Sequence, residues 1–343
     1  MRSFDFHSRQ QALSSKDNVA DTIRRAVKRD RDPIGPSVAV SALSIVIPTR
    51  NRAQAVCRSI NSVLASDRPN IELIVVDDGS TDETPWRLTE ITDPRFAWQR
   101  IESAGNANRA RNVGARISRS ALITFLDSDD AFEPSRIEKL ISFYAVHPDV
   151  DCLIDGYIEV NANRASVHRQ PRVTPPSPEV RRLLLMHCLP LTNSALSIRR
   201  PAFEAVGGYD EALSRHQDRE LLLRLVLNHT IRFGQETDVI KHREATSLSH
   251  NFQGYVAGLD DLAARCAEYR QAEYADIFRY LAVRGILKAL AQGRPITAMS
   301  EIRLLTGAQN LPNGLFRSLV RYHAGRRKRL QAVKVAYRPG AIE

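Results

Sequence analysis

Three short runs constrain this chain more than any other feature: LSIVIP (43–48), IELIVV (71–76) and ALITFL (121–126), each predominantly apolar rather than alternating. A strand that buries both faces belongs in a sheet covered on both sides, the usual situation of parallel strands joined by helices. Between the first two runs, Val56, Ile60, Val63 and Leu64 recur on one helical face, so the text reads strand, helix, strand. The same rhythm predicts a strand over 96–101, a helix over 108–118, and a helix opened by Pro134 that runs to Val146. A further strand is predicted over 151–160 and a helix over 179–187. A strand over 194–198 and a helix starting near Asp218 follow. The proline-rich stretch 161–178 reads as a long surface loop. Beyond His250 the pattern becomes wholly helical, near 252–268, 272–290, 297–306 and 313–323. The expected organisation is a polar extension over 1–40 with at most one short helix at 21–28, an α/β domain over 41–250, and a helical region with a basic tail over 251–343.

At 343 residues the chain can close a large core without disulfides or structural metals. Cys57, Cys152, Cys188 and Cys266 stand far apart, which argues against a zinc knuckle or a redox pair and fits a reducing compartment. The N-terminus has no apolar signal-like stretch, and no run approaches a membrane span. The expected location is therefore cytoplasmic, with peripheral binding at the inner face of the cell membrane as an option. Net charge is +10, which favours anionic partners, and Arg326–Arg329, Lys334 and Arg338 make the densest basic run. That tail fits an anionic lipid surface better than a nucleic acid, because aromatic residues are not interleaved with it.

Acidic residues collect where two of the apolar runs end. IELIVV leads into Asp77, Asp78, Gly79, Ser80, Thr81 and Asp82, and ALITFL leads into Asp127, Ser128, Asp129 and Asp130. In an open parallel sheet, ligands bind beyond the carboxyl ends of the strands. Carboxylates crowded there repel one another unless a cation sits among them, and a divalent metal is the simplest solution. Asp127 and Asp129 form an Asp-x-Asp pair suited to Mg²⁺ or Mn²⁺, hard ions that share their coordination with substrate phosphates. An Asp in the DDGS turn, assigned to Asp78, is placed to accept N–H bonds from a base edge. A glycine-rich dinucleotide loop is absent, and in GNANRARNVG (105–114) Arg109, Arg111 and Asn112 lead into a helix where Arg111 and Asn112 are candidates to meet a pyrophosphate.

Five blocks in order resemble family 2 glycosyltransferases, the inverting, nucleotide-sugar-dependent group with the GT-A fold. They are LSIVIPTRNR (43–52), IELIVVDDGSTDET (71–84), AGNANRARNVG (104–114), ITFLDSDDAFEPSRI (123–137) and NSALSIRRPAFEAVGGYDEAL (193–213), followed by QDRELLLRL. The resemblance covers about 41–250 and implies a GT-A-type, mostly parallel sheet flanked by helices. It also implies a metal-dependent transferase that takes a sugar, most simply from a UDP-sugar, to a saccharide, lipid-linked saccharide or other hydroxyl acceptor. It places Pro48, Thr49 and Asn51 beside the nucleotide, Asp78 on the base, and Asp127 and Asp129 on the ribose and the metal-bound diphosphate, with Asp130 as an alternate ligand. His242 enters as a third metal candidate, and Tyr209 and Asp210 of GGYDE as an acceptor-side turn. The family's Glu-Asp pair reads Gln217-Asp218 here, so the catalytic base is carried to Asp218 alone. Two competing readings remain at this stage: a basic membrane-surface or nucleic-acid adaptor on a degraded transferase fold, and a nucleotidyltransferase, against which the glycine-free IPTRNR speaks.

Overall fold

The computed structural model describes residues 43–102, 105–161, 164–243 and 254–307. The extension over 1–40, the expected helix at 313–323 and the basic tail lie outside the described residues. The chain alternates β1 (Leu43–Thr49), α1 (Ala53–Leu64), β2 (Ile71–Asp77), α2 (Thr84–Thr89), β3 (Phe96–Arg100), α3 (Ala107–Ile117) and β4 (Leu122–Phe125). Then come β5 (Ala131–Phe132), α4 (Arg136–Val146), β6 (Cys152–Ile154), β7 (Tyr157–Asn161), β8 (Arg164–His168) and α5 (Ser177–Leu185). They are followed by β9 (Leu196–Arg199), α6 (Arg200–Ala205), α7 (Gln217–Leu225), β10 (Ile231–Phe233) and β11 (Val239–His242). Three helices close the described chain: α8 (Tyr255–Arg265), α9 (Ala272–Ala291) and α10 (Pro295–Gly307).

Seven strands form the main sheet in the order β10-β6-β9-β4-β1-β2-β3. Strand β1 is parallel to both β2 and β4, and β2 is parallel to β3, which accounts for the predominantly apolar text of the first three runs. Every residue of β1 is buried, as is every residue of β4. Strand β9 runs antiparallel to β4 and to β6, so the sheet is mixed at one end. Four further strands make a second sheet in the order β5-β11-β7-β8.

The segment expected as one strand over 151–160 is in fact two, β6 in the main sheet and β7 in the second. The switch falls at Asp155-Gly156, where a side chain on Gly156 would come within 2.4 Å of the His168 carbonyl oxygen. Part of the proline-rich stretch read as loop is strand as well: β8 pairs antiparallel with β7 from Tyr157↔His168 to Asn161↔Arg164. Its apolar signal is weak because β8 is an edge strand with mostly exposed or half-buried side chains. The helices α2 and α6 and the strands β5 and β10 are too short for a periodic signature.

Beyond His250 the described chain is helical, as its texture predicts. One apolar core runs from Phe125, Ile154 and Ile198 of the sheet through Leu184 and Leu222 to Val256, Leu262, Ile277, Leu281 and Ala298. A second core, on Ile45, Ile47, Leu73 and Val75, is covered by α1 and α4 through Val56, Ile60, Ile137 and Leu140. Helix α3 lies close on the sheet because of Gly114: a side chain there would stand 2.3 Å from Val46 Cγ1.

Candidate active site

The carboxyl ends of β1, β2 and β4 and the end of β11 open into one cavity of about 270 Å³. Of the residues singled out from the sequence, Pro48, Thr49, Asp78, Arg111, Asp127, Asp129 and His242 line it, as does Asp130. Asn51 stands off the lining: held at φ 51°, it takes the Thr81 N–H on its Oδ1 at 2.7 Å and gives its own N–H to Ser80 Oγ at 2.8 Å. It clips the β1 loop to the DDGS turn.

The two aspartates of that turn divide the work. Asp77 is fully buried and closes the turn by accepting the Ser80 N–H at 3.0 Å and its hydroxyl. Asp78 reaches the cavity, gives its N–H to the Thr49 carbonyl at 2.9 Å, and accepts the Asn106 N–H on Oδ2 at 3.1 Å. Asn106 caps α3 by accepting the Asn108 N–H at 2.8 Å, so the positive end of this helix faces Asp78.

Crowding among the carboxylates of the DSDD turn is relieved by cations of the chain itself. Arg111 donates to Asp127 Oδ1 at 2.6 Å and to Asn108 Oδ1 at 3.1 Å, with its guanidinium 5.4 Å over the Tyr209 ring. Arg52 pairs with Asp129. Burial works against the charge of Asp127, yet Arg111, Lys241 and Arg52 hold its carboxyl below the ordinary value. Asp130 is buried, accepting the Ser194 hydroxyl at 2.6 Å and the His242 N–H at 3.2 Å. Burial lifts its carboxyl to about 7, against the pull of Lys241 and with the push of Asp127 and Asp129. Burial likewise disfavours the charge of Lys241, but Asp130, Asp127, Tyr157 and Asp129 hold its ammonium above the usual lysine range.

Lys241, Arg50 and Arg52 are lining residues that motif reading passed over. Arg52 closes the quoted block LSIVIPTRNR, and its pairing across to Asp129 is a long-range fact with no local signature. The one local signal for Lys241 is a lone lysine in the short strand VIKH, one residue before His242.

Asp218 sits in the first turn of α7, half-buried, with Oδ1 accepting the Arg219 N–H at 2.7 Å. It acts electrostatically on Arg111, Tyr209 and Tyr157, so it shares a neighbourhood with the Arg111–Asp127 pair. The GGYDE turn is built into the same wall. Asn112 accepts the Tyr209 N–H at 2.9 Å and donates to the Tyr209 carbonyl at 2.9 Å, which gives this asparagine a bracing task away from the cavity lining. Asn108 donates to the carbonyls of Asp210 and Leu213 at 2.8 and 2.9 Å. Gly207 and Gly208 have φ of 77° and 70°, and a side chain on Gly208 would meet Asn112 Oδ1 at 2.7 Å, so glycine is required there by geometry. Tyr209 Oη donates to Asn193 at 3.0 Å, and its ring packs edge-on to Phe125 at 5.1 Å.

Behind α7, His216 is held at φ 60° with its ring 5.5 Å from His187, itself at φ 50°, and 5.6 Å from Tyr255 of α8. Burial, with Arg219, Arg215 and Arg284 nearby, pushes this imidazole down to about 3. It is a structural histidine at the N-cap of α7, packed between His187 and Tyr255.

The oxygen-donor set suits a hard divalent ion, since Asp127 and Asp129 carboxylates are 23% and 12% exposed beside the cavity. Among the described residues no three His, Cys, Asp or Glu side chains converge as a metal cage. Asp127 and Asp129 are the lining carboxylates whose chemistry would fit such an ion.

A mixed α/β sheet with acidic strand ends around one cavity is the GT-A architecture of nucleotide-sugar transferases. Residues 44–207 match the model for glycosyl transferase family 2. The S. aureus TarS 1–349 structure in complex with UDP-GlcNAc superposes with a TM-score of 0.56 at 17% identity, covering 86% of this chain and 91% of that one. A mannosyltransferase from Pyrobaculum calidifontis in complex with GDP-Man and Mn²⁺ superposes with a TM-score of 0.50 at 18% identity, over 95% of each chain. In sequence, the Escherichia coli UDP-Glc:alpha-D-GlcNAc-diphosphoundecaprenol beta-1,3-glucosyltransferase WfgD is 33% identical over 121 residues, 35% of this chain and 47% of that one. The matches span from 19% to 72% of the length of the curated relatives.

Proposed function

We propose that this chain transfers a sugar from a nucleoside-diphosphate donor, most simply a UDP-sugar, to a hydroxyl of a saccharide or lipid-linked saccharide, with inversion at the anomeric carbon. The observation that carries the reading is the juxtaposition of Asp78, the Arg111–Asp127 and Arg52–Asp129 pairs and Lys241 around one cavity, with Asp218 in electrostatic reach of Arg111. Asp78 accepts an N–H from the base, and Pro48 and Thr49 line its side of the cavity. Asp218 takes the acceptor's hydroxyl proton as its oxygen attacks the anomeric carbon. The bond from that carbon to the diphosphate oxygen breaks on the opposite face, and the electron pair leaves with the nucleoside diphosphate. Arg52, Arg111 and Lys241 meet the growing negative charge without reorganising.

A Mn²⁺ or Mg²⁺ ion would be held by Asp129 and Asp127, with His242 as a further candidate, and would supply positive charge to the diphosphate. The relatives bear on substrate class: TarS holds UDP-GlcNAc, the Pyrobaculum enzyme holds GDP-Man with Mn²⁺, and the name of WfgD gives it a lipid-diphosphate-linked acceptor. In this reading residues 41–250 form the donor and acceptor domain, and 251–343 an accessory helical region. The adaptor and nucleotidyltransferase readings are not favoured by the family match or by the intact acidic and cationic lining.

The test is a nucleotide-sugar binding screen with and without Mn²⁺, followed by product analysis with the donor found. Release of a nucleoside diphosphate, with transfer lost in Asp218→Asn and Asp129→Ala but donor binding kept in the former, supports the reading. Release of pyrophosphate refutes it, and wild-type transfer by Asp218→Asn removes the base assignment.

A further inference from the structure

The chain's net positive charge is confined to one end. Residues 277–343 hold 13 Lys and Arg against two acids, Glu301 and Glu343, whereas the preceding 276 residues hold 36 against 37. The net +10 of the molecule therefore belongs entirely to this last fifth of the sequence. From Ile277 to Ser300 there is no acidic residue, and Glu301, the one acid of its described part, is buried.

This same segment carries a concentration of exposed apolar side chains. Leu287 and Leu290, at the end of α9, are 59% and 48% exposed; Ile296 and Met299, at the start of α10, are 84% and 56% exposed. Each pair has the i, i+3 spacing of a single helix face, and the two pairs are joined by Gln292, Gly293 and Arg294, with Gly293 at φ 69°. Helices α9 and α10 pack against each other and reach the main core through Ile277, Leu281, Ile286, Ala289 and Ala298, so the inward faces are already occupied. Ile296 and Met299 thus project from a corner that the core does not need. Single exposed apolar residues are ordinary, but four around one helix–helix corner in a basic segment whose one described acid is buried are not.

We propose that the α9–α10 corner docks on an anionic membrane surface, with Leu287, Leu290, Ile296 and Met299 entering the headgroup boundary and the adjacent Lys288 and Arg294 meeting acidic lipid. Charge complementarity chooses the occupant. A second copy of the same corner would bring like charge against like charge, and a nucleic acid would leave the apolar side chains wet. No described helix is long and apolar enough to cross a membrane, so the contact is one of surface seating. The apolar corner supplies insertion, and the basic residues supply an attraction that fades with salt. None of the four apolar side chains lines the donor cavity, and the inference does not depend on the transferase reading, although a lipid-linked acceptor would be reached from such a surface.

The experiment is vesicle flotation of the full chain on mixed phosphatidylglycerol–phosphatidylcholine and on pure phosphatidylcholine vesicles, at low and high salt. The full chain is expected to float on the anionic vesicles at low salt, to float less at high salt, and to stay down with the neutral ones. Leu290→Ser/Ile296→Ser/Met299→Ser should weaken binding at least about tenfold while keeping the wild-type melting temperature and elution volume. Ile296→Trp provides an independent reading, with a blue shift of its emission on adding anionic vesicles. Failure of the wild type to float overturns the proposal, as does equal binding to neutral vesicles. Wild-type flotation by the folded triple variant together with an unshifted Ile296→Trp spectrum does the same, and so does a change from dimer to monomer in the triple variant. These outcomes leave donor turnover untouched, so the failure of one idea is distinct from the failure of the other.

Discussion

Replacing Gly114 with alanine sets two effects of opposite sign against each other. In a helix interior the change ordinarily gains about 1 kcal/mol. Here the new methyl carbon would lie 2.3 Å from Val46 Cγ1 and 3.3 Å from Val76 Cγ2, when apolar carbons sit comfortably at about 3.5–4.0 Å. Val46 cannot retreat: it is fully buried, β-branched and held in β1 between β2 and β4. Helix α3 must therefore lift from the sheet by roughly 1 Å, an overpacking that costs about 1–3 kcal/mol or more. Gly114→Ala is thus expected to be destabilising by up to a few kcal/mol despite its better helix propensity. Because Arg111 stands one turn earlier on α3, its 2.6 Å contact with Asp127 is disturbed as well, and transfer falls with stability. Urea unfolding of Gly114→Ala, Val46→Ala and the double variant measures this directly. The double variant should be more stable than the sum of the singles predicts, by at least about 1 kcal/mol. A Gly114→Ala protein as stable as wild type, or additive behaviour in the cycle, would refute the close approach.

Arg111→Met strips the buried partner from Asp127 and should cost about 1–3 kcal/mol, moderated by the partial exposure of that carboxylate, with a loss of transfer seen in initial-rate assays. Lys241→Met removes a cation beside three aspartates, so a Mn²⁺ titration of donor binding should shift to lower metal concentration even as turnover falls; a shift the other way would contradict the electrostatics. His216 is neutral in the fold, with its pKa pushed from 6.5 down to about 3. Below 6.5 the unfolded chain takes up a proton that the folded chain refuses, so its contribution is present above that pH and is lost as pH falls toward 3, by about 1.4 kcal/mol per unit. His216→Asn, which tolerates the left-handed backbone, should flatten that slope in unfolding midpoints measured from pH 7 to 4.

Residue patterns carried the sheet because its central strands are buried on both faces, and burial of that kind leaves predominantly apolar text in β1, β2 and β4. They carried α3 and α7 for the parallel reason that amphipathic helices repeat. The second sheet was hidden: β8 is an exposed edge, β5 and β11 are very short, and the split of 151–160 into β6 and β7 rests on tertiary pairing. In the cavity, the acids were legible because they follow the strands directly, while their counter-charges were not. Arg52 reaches Asp129 across 77 positions of sequence and Lys241 reaches the DSDD turn across more than 100. Crowded carboxylates need counter-charge, and Arg111, Arg52 and Lys241 of the chain itself supply much of it. Asn51 and Asn112 lay in the right blocks and hold backbone loops together at a remove from the cavity.

The contact of His216 with Tyr255 joins the start of α7 to the C-terminal helices. Gly258 of α8 presses close on Arg215, and Gly285 of α9 presses on Tyr255, so there is no slack in the joint. The change of texture near residue 250 is therefore not a seam along which the molecule could be cut and rejoined. A chimera that borrowed its last hundred residues from another relative would need matching residues at His187, Arg215 and His216, or the turn that presents Asp218 would lose its backing.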